Sequence, residues 1–258
     1  MSVSPPEIGV APDVPTGAQA GRLEEAQVRA MFDRIAGLYD RMNTVMTAGL
    51  HRRWRRRAAE LAEVSPGDRV LDVATGTGDL ALELAARVAP DGEVVGIDFS
   101  QRMLDLARAK ARTDGRPDVR VRFQAANALA LPFESDEYAS ATVGFGARNF
   151  ADLERGLAEM VRVVRPGGRV VVLEITTPRR PPLSTFFEVW FDRLVPLLGR
   201  LAGDAAAYSY LPSSVRRFPG PDQLAELLVR SGLGDVRYVL TAGGIVALHV
   251  GVVTGDAL

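Results

Sequence analysis

The chain has 258 residues, 47% of them hydrophobic and 24% charged, with a formal net charge of −1. That balance is the one an ordinary globular protein carries, and it provides no global field for nucleic acid. Cysteine is absent and His51 and His249 are the two histidines, which excludes disulfides and thiol chemistry and argues against a metal centre. No apolar run reaches the ~20 residues of a membrane span, and no basic region followed by an apolar core opens the chain, so a cytoplasmic setting is expected.

Residues 1–21 hold Pro5, Pro6, Pro12 and Pro15 among small residues and are expected to form a disordered tail. The remainder, 22–258, reads as one domain. From Leu23 a helical spacing puts Val28, Met31, Phe32 and Ile35 on one side. It leads into the polar and aromatic stretch from Tyr39 to Trp54, which precedes the first strand and can fold over the sheet. Residues 22–62 are therefore read as a helical lid. The run His51-Arg-Arg-Trp-Arg-Arg-Arg57 fits a helix with its arginines in solvent and Trp54, Ala58 and Leu61 inward; a headgroup-binding or nucleic-acid patch is the alternative.

The chain is organised around Arg69 to Ala85. Arg69–Val73 is a short β-branched run with Asp72 near its end, and Gly76-Thr-Gly78 breaks it. From Asp79 the spacing becomes helical, with Leu80, Leu84 and Val88 on one stripe. Strand, glycine turn and helix place a ligand crevice at the carboxyl end of a strand, where glycine lets the backbone approach a ligand and the helix start offers free N–H groups. Gly76, Gly78 and Ala81 also satisfy a dinucleotide pattern, so a nicotinamide enzyme stays open at this point.

A second strand, Glu93–Asp98, ends in an acid 20 residues after Gly78. Asp98 can accept from both hydroxyls of a ribose, or it can cap the next helix in competition with Ser100. A helix follows over Gln101–Arg112, then a strand over Val119–Ala125. Asn127, just past it and followed by Ala128, can read the edge of a flat base or cap its own turn. Tyr138–Val143 forms a fourth strand, and Gly144-Phe-Gly-Ala-Arg-Asn149 sets Arg148 and Asn149 beside the crevice. After a helix over Leu153–Val164, Arg165-Pro-Gly-Gly168 turns the chain into a fifth strand, Arg169–Glu174. This alternation predicts an α/β fold with a doubly wound, mostly parallel sheet.

The alternation lapses over 178–215, read as an apolar helical insertion. Ser184–Gly199 is apolar around most of its circumference, as either core or the wall of a hydrophobic substrate site, and Pro196 is expected to kink or end it. A helix near Pro221–Ser231 and two strands, Val236–Leu240 and Ile245–Val253, close the chain as an antiparallel C-terminal hairpin at one sheet edge. Asp72 and Asp79 flanking the first turn would repel a pyrophosphate and suit a cationic ligand such as S-adenosylmethionine.

Asp72-Val-Ala-Thr-Gly-Thr-Gly-Asp79 resembles the first motif of the Rossmann-like class I S-adenosylmethionine-dependent methyltransferases. Tyr39 to Trp54 is similar along its whole length to a signature of the menaquinone/ubiquinone biosynthesis C-methyltransferases. Arg162 to Thr176 resembles that family's second signature, with Arg165 for the usual Lys and Thr176 for the usual Ser. Gly144–Asn149, Tyr208–Leu211 and Thr241–His249 resemble the family too, so the likeness spans about 25–253.

The resemblance implies methylation of a ring carbon of a polyprenyl quinol, demethylmenaquinol ahead of the ubiquinone pathway's benzoquinol. It carries cofactor contacts onto Thr77, Asp98, Asn127, Ala128 and Gly144; some members have Ser at the last position, so a backbone contact is all that remains there. Asp72, Gly76 and Gly78 complete the expected cofactor site. Arg148, oriented by Asn149, is expected to stabilise a phenolate, and Tyr39 and His51 to contact the quinol or take its proton. The lid and the apolar insertion would line a tail channel or rest at the membrane surface. A nicotinamide oxidoreductase and a non-catalytic quinone-binding protein are the readings from other classes.

Overall fold

The computed structural model describes residues 25–114, 120–178, 180–195 and 205–255; the expected tail, 1–21, and Pro196 lie outside them. Two helices come first, α1 (Glu25–Thr47) and α2 (Leu50–Leu61). The sheet then alternates with helices: β1 (Arg69–Val73), α3 (Asp79–Val88), β2 (Glu93–Asp98), α4 (Gln101–Thr113), β3 (Val121–Ala125) and β4 (Tyr138–Gly144). After a short 3-10 turn at Ala147–Asn149 come α5 (Leu153–Arg162) and β5 (Val164–Ile175). The insertion follows as α6 (Leu183–Val189), a π-helical stretch at Trp190–Leu194 and α7 (Ala205–Arg217). The chain closes with α8 (Pro221–Arg230), β6 (Leu233–Thr241) and β7 (Val246–Val253).

Seven strands form one sheet in the order β3-β2-β1-β4-β5-β7-β6. The first five pair in parallel, whereas β7 runs antiparallel between β5 and β6. The chain winds outward from β1 in one direction and from β4 in the other, so the crevice between their carboxyl ends is the topological switch point where α/β sheets bind ligands. The strands' period of two sorts their side chains into two cores. Val70, Val171, Leu173 and Leu248 pack with Trp54, Leu84 and Leu104 from α2, α3 and α4 on one face. Leu71, Val73, Val170 and Val172 pack with Leu157, Met160, Leu224 and Leu228 from α5 and α8 on the other.

Strand β5 starts earlier than expected. Val164 already pairs with Tyr138, and the ladder resumes at Ser140 with Arg169, so Arg165-Pro-Gly-Gly168 turns within the strand's span, with Gly167 at φ 79°, and not before it. Gly78 sits at φ 84°, and a Cβ there would stand 2.9 Å from the Phe123 ring, so this position needs glycine on both counts. Among the described residues, no helix is long and apolar enough to cross a membrane.

Candidate functional site

Two cavities adjoin at the carboxyl end of the sheet. The first, with an empty volume of about 930 Å³, lies over the switch point. Asp72, Gly76, Thr77, Asp98, Asn127, Ala128 and Gly144 all line it, as the sequence led us to expect. Gly78 stands just behind the turn, capping the start of α3.

The polar geometry sharpens each assignment. Ser100, not Asp98, caps α4 by accepting from the Met103 N–H. Asp98 is free of that task and accepts from the Gly76 N–H at 2.9 Å and the Ser100 N–H at 2.8 Å. The Phe99 N–H donates as well, and since each carboxylate oxygen accepts twice, one acceptor position remains for a ribose hydroxyl. Burial pushes the Asp98 carboxyl up to about 6, against those backbone donors. Asp72 is also raised to about 6 by burial, against hydrogen bonds from Thr75 and Thr142. Asn127 closes its own turn, Oδ1 accepting from the Leu129 N–H, and its side chain also lines the crevice, where Nδ2 donates to Glu25.

Asp79 departs from expectation. It does not line the crevice but pairs with Arg55 at 2.9 Å and with Lys110. Burial opposes its charge, and these two cations outweigh it to hold its pKa below the ordinary value. The crevice nonetheless presents three carboxylates, Glu25, Asp72 and Asp98, against the single guanidinium of Arg55. A cationic ligand with a ribose and a flat base fits that lining, with Phe99, Met103 and Ile97 as apolar walls.

The second cavity has an empty volume of about 1570 Å³ and lies among α1, α2, the insertion and the end of β5. Its walls are mostly apolar: Met31, Met42, Trp54, Phe187, Trp190 and Phe191 among them. Ser184–Gly199, as far as it is described, thus serves as a cavity wall, with Phe187 and Phe191 stacked and buried and Phe186 lining it while partly exposed. The polar exceptions include Tyr39, His51, Arg148 and Asn149. Tyr39, Phe145 and Asn149 line both cavities, so they form the wall where the two meet.

Arg148 is buried, and its Nη1 donates to Glu174 and to the Phe145 carbonyl, each at 2.6 Å. Glu174 is the orienting partner, in place of Asn149. Burial works against the guanidinium's charge, but Glu174 more than offsets it and keeps the pKa above the ordinary value. Among the described residues, two buried polar atoms here have no partner: the donor Arg148 Nε and the acceptor Asn149 Oδ1. His51 is buried too, with Nδ1 against Arg55 Nη1 and Nε2 3.3 Å from Thr44 Oγ1. Burial, and then the Arg55 charge, pushes it down to about 4.

Several residues escaped the sequence reading. α1 is tied across the first cavity by Glu25 to Asn127, by Asp33 to Ser100 at 2.5 Å, and by Asp40 to Thr77 at 2.6 Å and Lys110 at 2.8 Å. In the basic run, Arg52, Arg53, Arg56 and Arg57 are exposed as expected, but Arg55 is buried with His51 and Trp54. The signal was available: positions 51, 54, 55 and 58 share one helical face.

Comparison with known proteins places this arrangement. A 222-residue stretch is 48% identical to a demethylmenaquinone methyltransferase of Thermus thermophilus, covering 86% of this chain and 99% of that protein. A ubiquinone/menaquinone biosynthesis C-methyltransferase of Geobacter sp. strain M21 is 40% identical over 225 residues, covering 87% of this chain and 95% of that protein. Among solved structures, an S-adenosylmethionine-dependent methyltransferase from Aquifex aeolicus superimposes with a TM-score of 0.55 at 15% identity, over 93% of this chain and 94% of the other, a likeness of fold alone. The model of the ubiE/COQ5 methyltransferase family matches residues 20–253, and the chain belongs to that family.

Proposed function

We propose that this enzyme methylates a ring carbon of a polyprenyl quinol with S-adenosyl-L-methionine, and that its acceptor is demethylmenaquinol, in menaquinone biosynthesis. The observation that carries this reading is a pair of buried atoms without partners among the described residues, Arg148 Nε and Asn149 Oδ1, on side chains that line the apolar chamber. A donor and an acceptor left without partners on the lining of an apolar chamber are costly unless a ligand satisfies both. A phenolic ring supplies an oxygen for the one and a hydroxyl for the other.

The first cavity would hold the cofactor: Asp98 at the ribose, Asn127 and Ala128 at the base, and Asp72 with the Gly76–Gly78 turn at the amino-acid end. When bound, S-adenosylmethionine would supply an electrophilic methyl, whose bond to sulfur breaks as one to a ring carbon forms, leaving neutral S-adenosylhomocysteine, with the proton displaced from that carbon released to water. The chain's own residues do the rest. Arg148, kept charged by Glu174, stabilises the quinolate that makes the ring carbon nucleophilic. Tyr39 and Asn149, facing both cavities, align the ring with the cofactor's end of the crevice. The lid helices α1 and α2 keep water from the junction.

The apolar chamber takes the ring and the first part of the tail. Its mouth carries Val45, Leu50 and Phe186, which are 59%, 46% and 54% exposed. Exposed Arg52 and Arg53 lie two and three residues after Leu50 on the same helix. We assign this rim to the surface of an anionic bilayer, where such quinols reside.

The test follows labelled methyl from S-adenosylmethionine into demethylmenaquinol and into the ubiquinone pathway's benzoquinol counterpart. Transfer to the naphthoquinol, at least tenfold faster, is the expected result. Preference for the benzoquinol would reassign the acceptor. Cofactor binding with no transfer to either ring would overturn the reading.

A further inference from the structure

Arg55 lines both cavities, yet neither a substrate oxygen nor a cofactor group is needed to explain its bonds. Its guanidinium is buried, pairs with Asp79 Oδ2, lies 5.8 Å from the centroid of the Phe145 ring, and meets His51 Nδ1 through Nη1. Guanidinium has donors and no acceptor. The His51 Nδ1 lone pair must therefore accept, and the proton of the neutral ring is on Nε2. A second contact agrees. Thr44 Oγ1 spends its hydroxyl proton on the Asp40 carbonyl at 2.8 Å, so it meets His51 Nε2 as an acceptor. At 3.3 Å that bond is long, which leaves the Nε2–H able to turn to a better acceptor in the chamber.

We propose that Arg55 is a positioning residue that holds His51 as a neutral Nε2–H donor, so that His51 grips an oxygen of the acceptor and does not take its proton. The inference rests on the quinol reading for the identity of that oxygen, but not for the tautomer. Of the two roles expected for His51, quinol contact or proton acceptance, it selects the contact. The groups around the ring all bear on its state: Arg55 and Arg52 on its own helix disfavour a positive charge, while Asp79 from α3 and Asp40 from α1 favour one. Burial weighs most against the charge, and Arg55, in direct contact with Nδ1, decides the tautomer. Lys110 and Asp79 complete the support, because Asp79 holds Arg55 and Lys110 holds Asp79.

With two histidines in the chain, nitrogen-15 NMR of the imidazoles is direct, and H249Q assigns the signals. In the unmodified protein at pH 7, His51 Nε2 is expected as the protonated, pyrrole-type nitrogen and Nδ1 as the bare one. In R55M the ring should become a mixture of tautomers that titrates nearer the ordinary value of ~6.5, and R55K should restore the tautomer in part. An Nδ1–H tautomer or an imidazolium at pH 7 in the unmodified protein overturns the proposal, whether or not the variants fold. Turnover separates donor from base. A glutamine amide reaches the Nε2 position and donates there, so H51Q should lower kcat only about tenfold and H51N about a hundredfold, whereas loss of a general base costs ~100-fold or more in both. Equal losses in H51Q and H51N would also sink it. If no polyprenyl quinol is methylated at all, the function reading fails while the NMR result still decides the tautomer.

Discussion

Glu174 accepts from the Arg148 backbone and side chain and from the Ile175 N–H. Both partners are buried, and such a pair is expensive to break from one side, since the survivor keeps its charge without a counterion. Glu174→Gln should cost about 3–5 kcal/mol of unfolding free energy in a denaturant titration, with a loss of turnover beyond the loss of folded protein. Asp98 makes a second prediction, of opposite signs for stability and binding. Its carboxyl titrates near 6 in the folded protein against 3.8 ordinarily, so the native state holds the proton to higher pH. The group's contribution to stability is therefore greatest below about 4 and is lost as pH rises to about 6. Ribose hydroxyls, however, need the carboxylate. Affinity for S-adenosylmethionine, read by calorimetry, should be level above pH 7 and fall below about 6. Asp98→Asn should weaken binding roughly 10- to 100-fold at pH 7.5, the value of hydrogen bonds to a charged group, and shrink that acid limb, with Asp72 left to titrate.

At the scale of elements, α1 is held to the sheet by acids about two turns apart on one face, Glu25, Asp33 and Asp40, each meeting a different crevice loop. Such partly exposed contacts are worth about 1 kcal/mol or less apiece. The double variant D33A/D40A should therefore speed amide exchange in α1 roughly 10-fold and leave β1, β4 and β5 unchanged; equal acceleration throughout would mean that α1 is integral to the global fold, not a lid. None of these acids was singled out from the sequence, whereas the sheet and its helices were. The difference is physical. Val70, Leu71 and Val73, or Leu80, Leu84 and Val88, carry a periodicity that a single sequence displays. The pairing of Lys110 with Asp40 spans 70 residues and exists only after the sheet brings α4 under α1. Arg55 was legible by spacing but hidden by its residue type, since arginines in a basic run are expected in water. Asp79 misled in the other direction: its place beside the turn was read correctly, but its two cations were not visible. The Pro-Gly-Gly turn of β5 was legible, but the pairing of Val164 with Tyr138 ahead of it was not.

On the scale of the whole molecule, the net charge of −1 leaves membrane attraction to local features. The rim of the apolar chamber supplies both kinds. Val45, Leu50 and Phe186 expose apolar surface around the opening, and exposed Arg52 and Arg53 share the helix of Leu50. A fully buried phenylalanine is worth about 1.5–3 kcal/mol, and each cation near an anionic leaflet about 1 kcal/mol. Together these support reversible docking, which suits an enzyme that must collect a lipid and release it. R52Q/R53Q should thus lower binding to phosphatidylserine-containing vesicles about 30-fold and leave the weak binding to neutral vesicles unchanged. Raising salt from 0.05 to 0.5 M should imitate the variant, because the Debye length falls well below ~10 Å. F186S should lower binding to both vesicle types by about 10-fold or more. Turnover separates docking from chemistry. With a short-tailed, dispersed quinol, R52Q/R53Q should match the parent in kcat and KM; with a long-tailed quinol in vesicles, its KM should rise while kcat holds. Co-sedimentation that is identical for parent and variants would detach this rim from the bilayer and leave the chamber's mouth as a purely aqueous entrance.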